Sequence, residues 1–181
     1  MPIPVVQLGT GNVGIHALRA LITDPQFELT GVWVSSDAKA GKDAAELAGL
    51  AQPTGVLAST DLDAVLATGP RCAVYNALAD NRLPEALDDY RRVLAAGINI
   101  VGSGPVFLQY PWQVIPDELI KPLEEAAQQG NSSLYVNGID PASPTTCCRW
   151  RSPAPARASS RSGAWRSSTT RPTTAPRSCS T

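Results

Sequence analysis

The chain has 181 residues, enough for one domain of ordinary size and no more. Its net charge of −1 hides a split: residues 1–141 hold all sixteen acids and eight Lys or Arg, while residues 142–181 hold seven Arg, no Lys and no acid. The opening "MPIPVVQLGTG" lacks the basic start and long apolar core of a signal peptide, and no apolar run approaches the roughly 20 residues of a membrane span, so the composition points to a cytoplasmic protein without membrane contact.

In chain order, "IPVVQLGTGNVG" runs from a short apolar strand straight into glycines. "NVGIHALRALITD" follows with Val13, Ala17, Leu18 and Leu21 at the spacing of one helix face. "FELTGVWVSS" reads as the next strand, "KDAAELAGL" as a short helix and "TGVLAST" as a short strand or turn. "DLDAVLATG" is a helix whose N-terminus Asp61 is placed to cap. "RCAVYNAL" is too apolar for a half-exposed strand and suits the centre of a parallel sheet. "LPEALDDYRRVLAAG" has Pro84 in its first turn and Gly97 beyond its end, both helix signatures. A strand "INIVGSG", a helix "IPDELIKPLEEAAQQG" ending at Gly130 and a last strand "SSLYVNG" complete the pattern. This alternation predicts an α/β fold, a Rossmann-type doubly wound parallel sheet over residues 1–141, covered by helices on both faces.

Gly9, Gly11 and Gly14 form G-x-G-x-x-G between the first strand and the first helix. In a dinucleotide-binding turn the first glycine permits the tight bend, the second lets backbone approach the pyrophosphate and the third lets helix and strand pack closely. The helix N-terminus offers unpaired N–H groups and partial positive charge to an anion. Gly9, Thr10, Gly11, Asn12, Val13 and Gly14 are therefore the candidate pyrophosphate loop. The alternative is a structural glycine turn serving another ligand.

The end of the second strand bears on cofactor choice. An NAD site usually has an acid about 20 residues past the glycines. Ser35 and Ser36 stand there instead, with Lys39 and Lys42 beyond, and hydroxyls with ammonium groups suit the 2′-phosphate of NADP. Asp37 is the residue that would serve NAD, if the strand ends a residue or two later. Loops leaving the carboxyl ends of the later strands bring Asn76, Ala77, Ser103 and Gly104 to the nicotinamide half. His16, the one histidine, reads as an ordinary helix residue, and Trp33 and Trp112 as packing. Cys72 reads as buried. Cys147, Cys148 and Cys179 match no zinc spacing, so no metal site is expected.

On "VVQLGTGNVG", "AGKDAAELAGL", "AVYNAL", "INIVGSGPVF" and "YVNGIDP", residues 3–141 resemble the dihydrodipicolinate reductase-like NAD(P)-binding enzymes, most closely their 2,4-diaminopentanoate dehydrogenase-like branch. The resemblance implies nicotinamide-dependent chemistry at an amine- or imine-bearing carbon of a small amino-acid-like substrate. It also implies a second domain that carries the substrate groups, among them catalytic His and Lys residues, and builds a homo-oligomer. The passage into that domain commonly reads G-x-D/N-P-G-F. Here "GIDP" is followed by Ala142 and Ser143, so no catalytic residue can be assigned.

Residues 142–181 contain no Leu, Ile, Val, Met, Phe or Tyr, but nine Ser, seven Thr, seven Arg and five Pro. Such a segment cannot bury enough apolar surface to offset an ordering cost of about 1–2 kcal/mol per residue, so a disordered tail is expected. One reading is a basic arm for nucleic acid. A sharper one is a one-base slip of reading frame: "ASPTTCCRWRSPAPARASS" permits the shifted reading "GFANDLLPLALAGTCQSIE". That restores the Gly-Phe after "GIDP" and continues as an apolar, helix-like run, although the first base of each restored codon is a choice. The tail is accordingly taken as non-native, standing in place of a substrate domain. A nucleotide-binding module without catalysis, or nucleic-acid binding through the tail, are the competing readings.

Overall fold

The computed structural model of the chain describes residues 1–79 and 82–137. The passage "GIDP", the tail from residue 142 and its three cysteines lie outside the described residues. The strands are β1 (Ile3–Leu8), β2 (Phe27–Trp33), β3 (Ala58–Ser59), β4 (Cys72–Tyr75), β5 (Asn99–Gly102) and β6 (Leu134–Val136). The helices between them are α1 (Asn12–Thr23), α2 (Ala44–Ala48), α3 (Leu62–Leu66), α4 (Leu83–Ala95) and α5 (Asp117–Gly130). The strands form one sheet in the order β3-β2-β1-β4-β5-β6, and every neighbouring pair is parallel. The chain winds outward from β1 to β3, returns through α3, and winds the other way from β4 to β6. This is the doubly wound order whose switch point lies between β1 and β4.

Register places the site. Trp33, Leu8, Tyr75, Gly102 and Val136 pair in one row across the sheet. The residues after each of them therefore leave the sheet at the same level, along its carboxyl edge.

Side chains of alternate parity build two cores. Val6, Leu8, Trp33, Ala73, Tyr75 and Ile100 point to the face packed by Leu62 and Val65 of α3, Tyr90, Val93 and Leu94 of α4, and Leu123 and Ala126 of α5. Val32 and Val34 point the other way, to Leu18 of α1 and Ala44 and Ala48 of α2. Asp43 and Asp61 cap α2 and α3 through their carboxylates, and Pro84 starts α4.

Cover on the second face is incomplete, contrary to the sequence expectation. β4 is half exposed at Cys72 and Val74, and β5 and β6 alternate exposed with buried residues. Val101 is 41% and Tyr135 62% exposed. The α1–α2 pair packs against β1 and β2, which leaves this strip open among the described residues. No helix of the described residues is long and apolar enough to cross a membrane.

Candidate functional site

A cleft of about 460 Å³ opens at the switch point, within the size range of small-molecule pockets. Twelve of the thirteen residues named from the sequence line it: Gly9, Thr10, Gly11, Asn12, Val13, Ser35, Ser36, Lys39, Asn76, Ala77, Ser103 and Gly104. Gly14 does not. Val34, Leu78, Ala79 and Val106 line it as well and carry no polar signal that a sequence reading would catch. Lys39 is the one ionisable side chain among the lining residues. Among the described residues the lining is otherwise made of backbone, hydroxyl, amide and apolar groups.

The three glycines have separate roles. Gly9 sits at φ +93°, and a Cβ there would lie 2.5 Å from the Ala77 backbone nitrogen, so the turn runs hard against the end of β4. A Cβ on Gly14 would lie 2.2 Å from the Gly9 carbonyl oxygen, so helix α1 rests directly on the turn. Gly11 has nothing within 4 Å of its Cβ position. Packing does not require a glycine there, and the space beside it is open.

Helix α1 begins at Gly11 with no side-chain cap and no acid in its first turn. Its first N–H groups and the positive end of its dipole remain available at the cleft, unlike those of α2 and α3, whose aspartates occupy that place. Val13, which has the spacing of the apolar stripe and also belongs to the candidate pyrophosphate loop, is 58% exposed and lines the cleft, while Gly14, Leu18 and Leu21 are the buried residues of α1. The first turn of α1 lies at the edge of the sheet, which sets Val13 at the cleft rather than in the core. His16 is exposed and does not line the cleft.

On the β2 side, Lys39 reaches back across the cleft. Its Nζ donates to the Thr10 carbonyl at 2.7 Å and to Thr10 Oγ1 at 3.3 Å. An ammonium group has three donors, so one remains. Ser35 and Ser36 are exposed beside it. Lys42 points elsewhere, into an exposed pair with Glu46 at 2.8 Å. Asp37 starts the 3-10 turn Asp37–Lys39 and does not line the cleft. The segment after this turn is tied down by Asp43, whose carboxylate accepts from Ala45 N, Thr54 N, Thr54 Oγ1 and Gly55 N at 2.7–3.0 Å. These donors, the Thr54 backbone first among them, hold the Asp43 carboxyl down at about 2.

The β4–β5 side is neutral. Gln7, fully buried on β1, donates from Nε2 to the Gly9 carbonyl at 2.8 Å and to Asn76 Oδ1 at 3.0 Å. Asn76 Nδ2 then donates to Ser103 Oγ at 3.0 Å. This chain of hydrogen bonds links the carboxyl ends of β1, β4 and β5. Gln7 Oε1 is buried without a partner, which costs about 1–3 kcal/mol. Gln7 carried no signal in the sequence because it sits within an otherwise apolar strand.

Behind this side, Tyr90 donates its hydroxyl to the Gly104 carbonyl, and Gly102 leaves room for it, since a Cβ there would lie 2.5 Å from that oxygen. The Tyr75 and Tyr90 rings pack with centroids 4.5 Å apart. Tyr75 donates to Asp89 at 3.1 Å, and Arg82 reaches the same carboxylate at 3.5 Å while lying over the Trp33 ring. Burial pushes the Asp89 carboxyl and both tyrosine hydroxyls up. These groups brace the loop that carries Ser103 and Gly104 and do not line the cleft.

An amine dehydrogenase of Streptomyces virginiae is 41% identical over 139 residues, which cover 77% of this chain and 38% of that protein. A 4-hydroxy-tetrahydrodipicolinate reductase of Trichormus variabilis is 35% identical over 107 residues, covering 56% of this chain and 38% of that one. Over these residues the chain is similar to proteins of the dihydrodipicolinate reductase-like NAD(P)-binding kind. Among solved structures, an amine dehydrogenase from Mycobacterium smegmatis is similar in fold with a TM-score of 0.66 at 27% identity, over 76% of this chain and 39% of that chain. No family model matches the chain. The chain spans 38% of the length of these curated relatives.

Proposed function

We propose that residues 1–141 are the nicotinamide dinucleotide-binding domain of an oxidoreductase that acts on an amine or imine carbon of an amino-acid-like substrate. The observation that carries this reading is the empty space at Gly11 beside the uncapped N-terminus of α1, at the switch point of the sheet. A pyrophosphate needs that space, those N–H groups and that dipole. The similarity to an amine dehydrogenase supports an amine as the reacting group.

NADP is the preferred cofactor in this reading. Lys39 sits at the cleft with a donor to spare, Ser35 and Ser36 flank it, and Asp37, the residue that would favour NAD, is not in the lining. Gly9, Thr10, Gly11, Asn12 and Val13 hold the pyrophosphate, Gly14 lets α1 pack on that turn, and Asn76, Ala77, Ser103 and Gly104 face the nicotinamide. Among the described lining residues Lys39 is the one ionisable group, and the resemblance places the substrate groups in another part of the intact protein. That protein is proposed to be cytoplasmic and homo-oligomeric.

The change of composition at residue 142 supports a shifted reading frame and a non-native tail. A fresh read of the DNA around codons 140–144 tests this, and an unshifted frame refutes it.

The binding test is a fluorescence titration of the purified 181-residue chain with NADPH and NADH. Saturable binding with NADPH preferred is expected. Binding of neither refutes the domain assignment, and equal affinity or preference for NADH refutes the cofactor assignment. Across a panel of diamines, amino acids and keto acids the chain is expected to show no turnover at 340 nm; robust turnover would overturn the division of labour.

A further inference from the structure

We propose that Gln7 is a positioning residue that sets the hydrogen-bond polarity of the β4–β5 side of the cleft, so that this side takes an acceptor oxygen, the carboxamide carbonyl of a nicotinamide. The proposal rests on the dinucleotide reading above and goes beyond it, by naming what one side of the cleft recognises and which buried residue determines it.

The argument starts from a backbone carbonyl. The Gly9 oxygen lies 2.8 Å from the Gln7 amide, and a carbonyl can only accept. The Gln7 nitrogen must therefore face it, because the opposite rotation would set two acceptor oxygens against each other. With Nε2 placed, its second N–H points at Asn76, which must answer with Oδ1. That choice turns the Asn76 NH2 toward Ser103, where one N–H is used at 3.0 Å and the other remains. Ser103 Oγ accepts from Asn76, so its own proton is available to a partner. Asn76 and Ser103 both line the cleft, whereas Gln7 is fully buried and does not. An orientation set at the glycine turn is thus passed along three strand ends to the surface that meets the ligand.

The unpartnered Gln7 Oε1 is a second, independent sign. An apolar side chain would fill this place in β1 without stranding a buried acceptor, as Val5, Val6 and Leu8 do beside it. Stability alone does not call for a glutamine here, whereas two donors in fixed directions do. Gly14 is part of the same arrangement, since its missing Cβ would stand 3.3 Å from Gln7 Nε2.

The test uses the full chain and two ligands, NADPH and 2′-phospho-ADP-ribose, which lacks the nicotinamide. Gln7→Leu and Asn76→Ala should each weaken NADPH by about tenfold while changing 2′-phospho-ADP-ribose by less than about twofold. Because Gln7 acts through Asn76, the double variant should lose no more NADPH affinity than Asn76→Ala alone. The thionicotinamide analogue, whose sulfur is a weak acceptor, should bind the wild-type chain less tightly than NADPH but bind Asn76→Ala equally. Equal losses for both ligands, or fully additive losses in the double variant, would overturn the proposal and leave Gln7 as a support of the glycine turn. If Gln7→Leu does not fold, Asn76→Ala and Ser103→Ala, at partly exposed positions, carry the comparison, and unchanged NADPH affinity in both overturns it. Failure of the wild-type chain to bind either ligand overturns the dinucleotide reading, and this inference with it.

Discussion

The two sides of the cleft differ in what they present. The β2 side offers charge: the Lys39 ammonium beside two exposed serines, held over Thr10. The β4–β5 side offers direction: neutral amides and a hydroxyl whose donors are oriented from within the sheet. The uncapped end of α1 lies between them. Charge is recognised at a distance and tolerates a mobile side chain, but it weakens with salt. Oriented neutral donors resist salt but depend on correct packing beneath them.

The variant that should break this comparison most completely is Gly11→Val, which acts on the point both sides share. Its side chain enters open space, so the melting temperature should stay within a few degrees while NADPH affinity falls by about a hundredfold or more; normal binding would make the motif purely structural. Gly9→Ala, two residues away, should do the reverse. Strain at φ +93° and a contact at 2.5 Å from the Ala77 backbone should cost at least about 2 kcal/mol in chemical denaturation, with binding lost through folding.

Smaller changes sharpen the contrast between the sides. Lys39→Met should weaken NADPH by about tenfold, or ~1.4 kcal/mol, and leave NADH within about twofold. Wild-type preference for NADPH should shrink as salt rises from 50 to about 500 mM, whereas the selective loss in Asn76→Ala should not. The smallest effect concerns Asp43, which anchors the segment following Lys39. Its folded pKa of about 2 lies below its ordinary value of 3.8, so the stability that it contributes is fully present above pH 4 and is lost as pH falls toward 2. Thermal melting from pH 5 to 2 should show this loss, and Asp43→Asn should remove that part of the pH dependence.

Much of this was legible in the chain itself. The alternation of strands and helices, the capping role of Asp61, the Pro84 start of α4 and the Gly130 end of α5 all follow from signals a few residues long, and the folded chain has each of them. The glycine turn belongs to the same class, because its requirements are set by backbone sterics within one strand-turn-helix unit.

The tertiary structure decided what depends on distant partners. Gln7 and Asn76 are 69 positions apart, so no periodicity could pair them. Lys39 and Lys42 look alike in sequence, yet one lies across the cleft and the other in a surface ion pair, because one turn of backbone turns them apart. Val13 satisfies both the apolar stripe of α1 and the candidate loop in sequence, and only the position of the helix at the sheet edge sets it at the cleft. Cover over β4–β6, expected from the alternation of strands and helices, is incomplete, since alternation shows that helices connect the strands but not which face each helix reaches. Local sequence determined the elements and the turn that opens onto the cleft; the register of six strands determined which side chains meet at its rim.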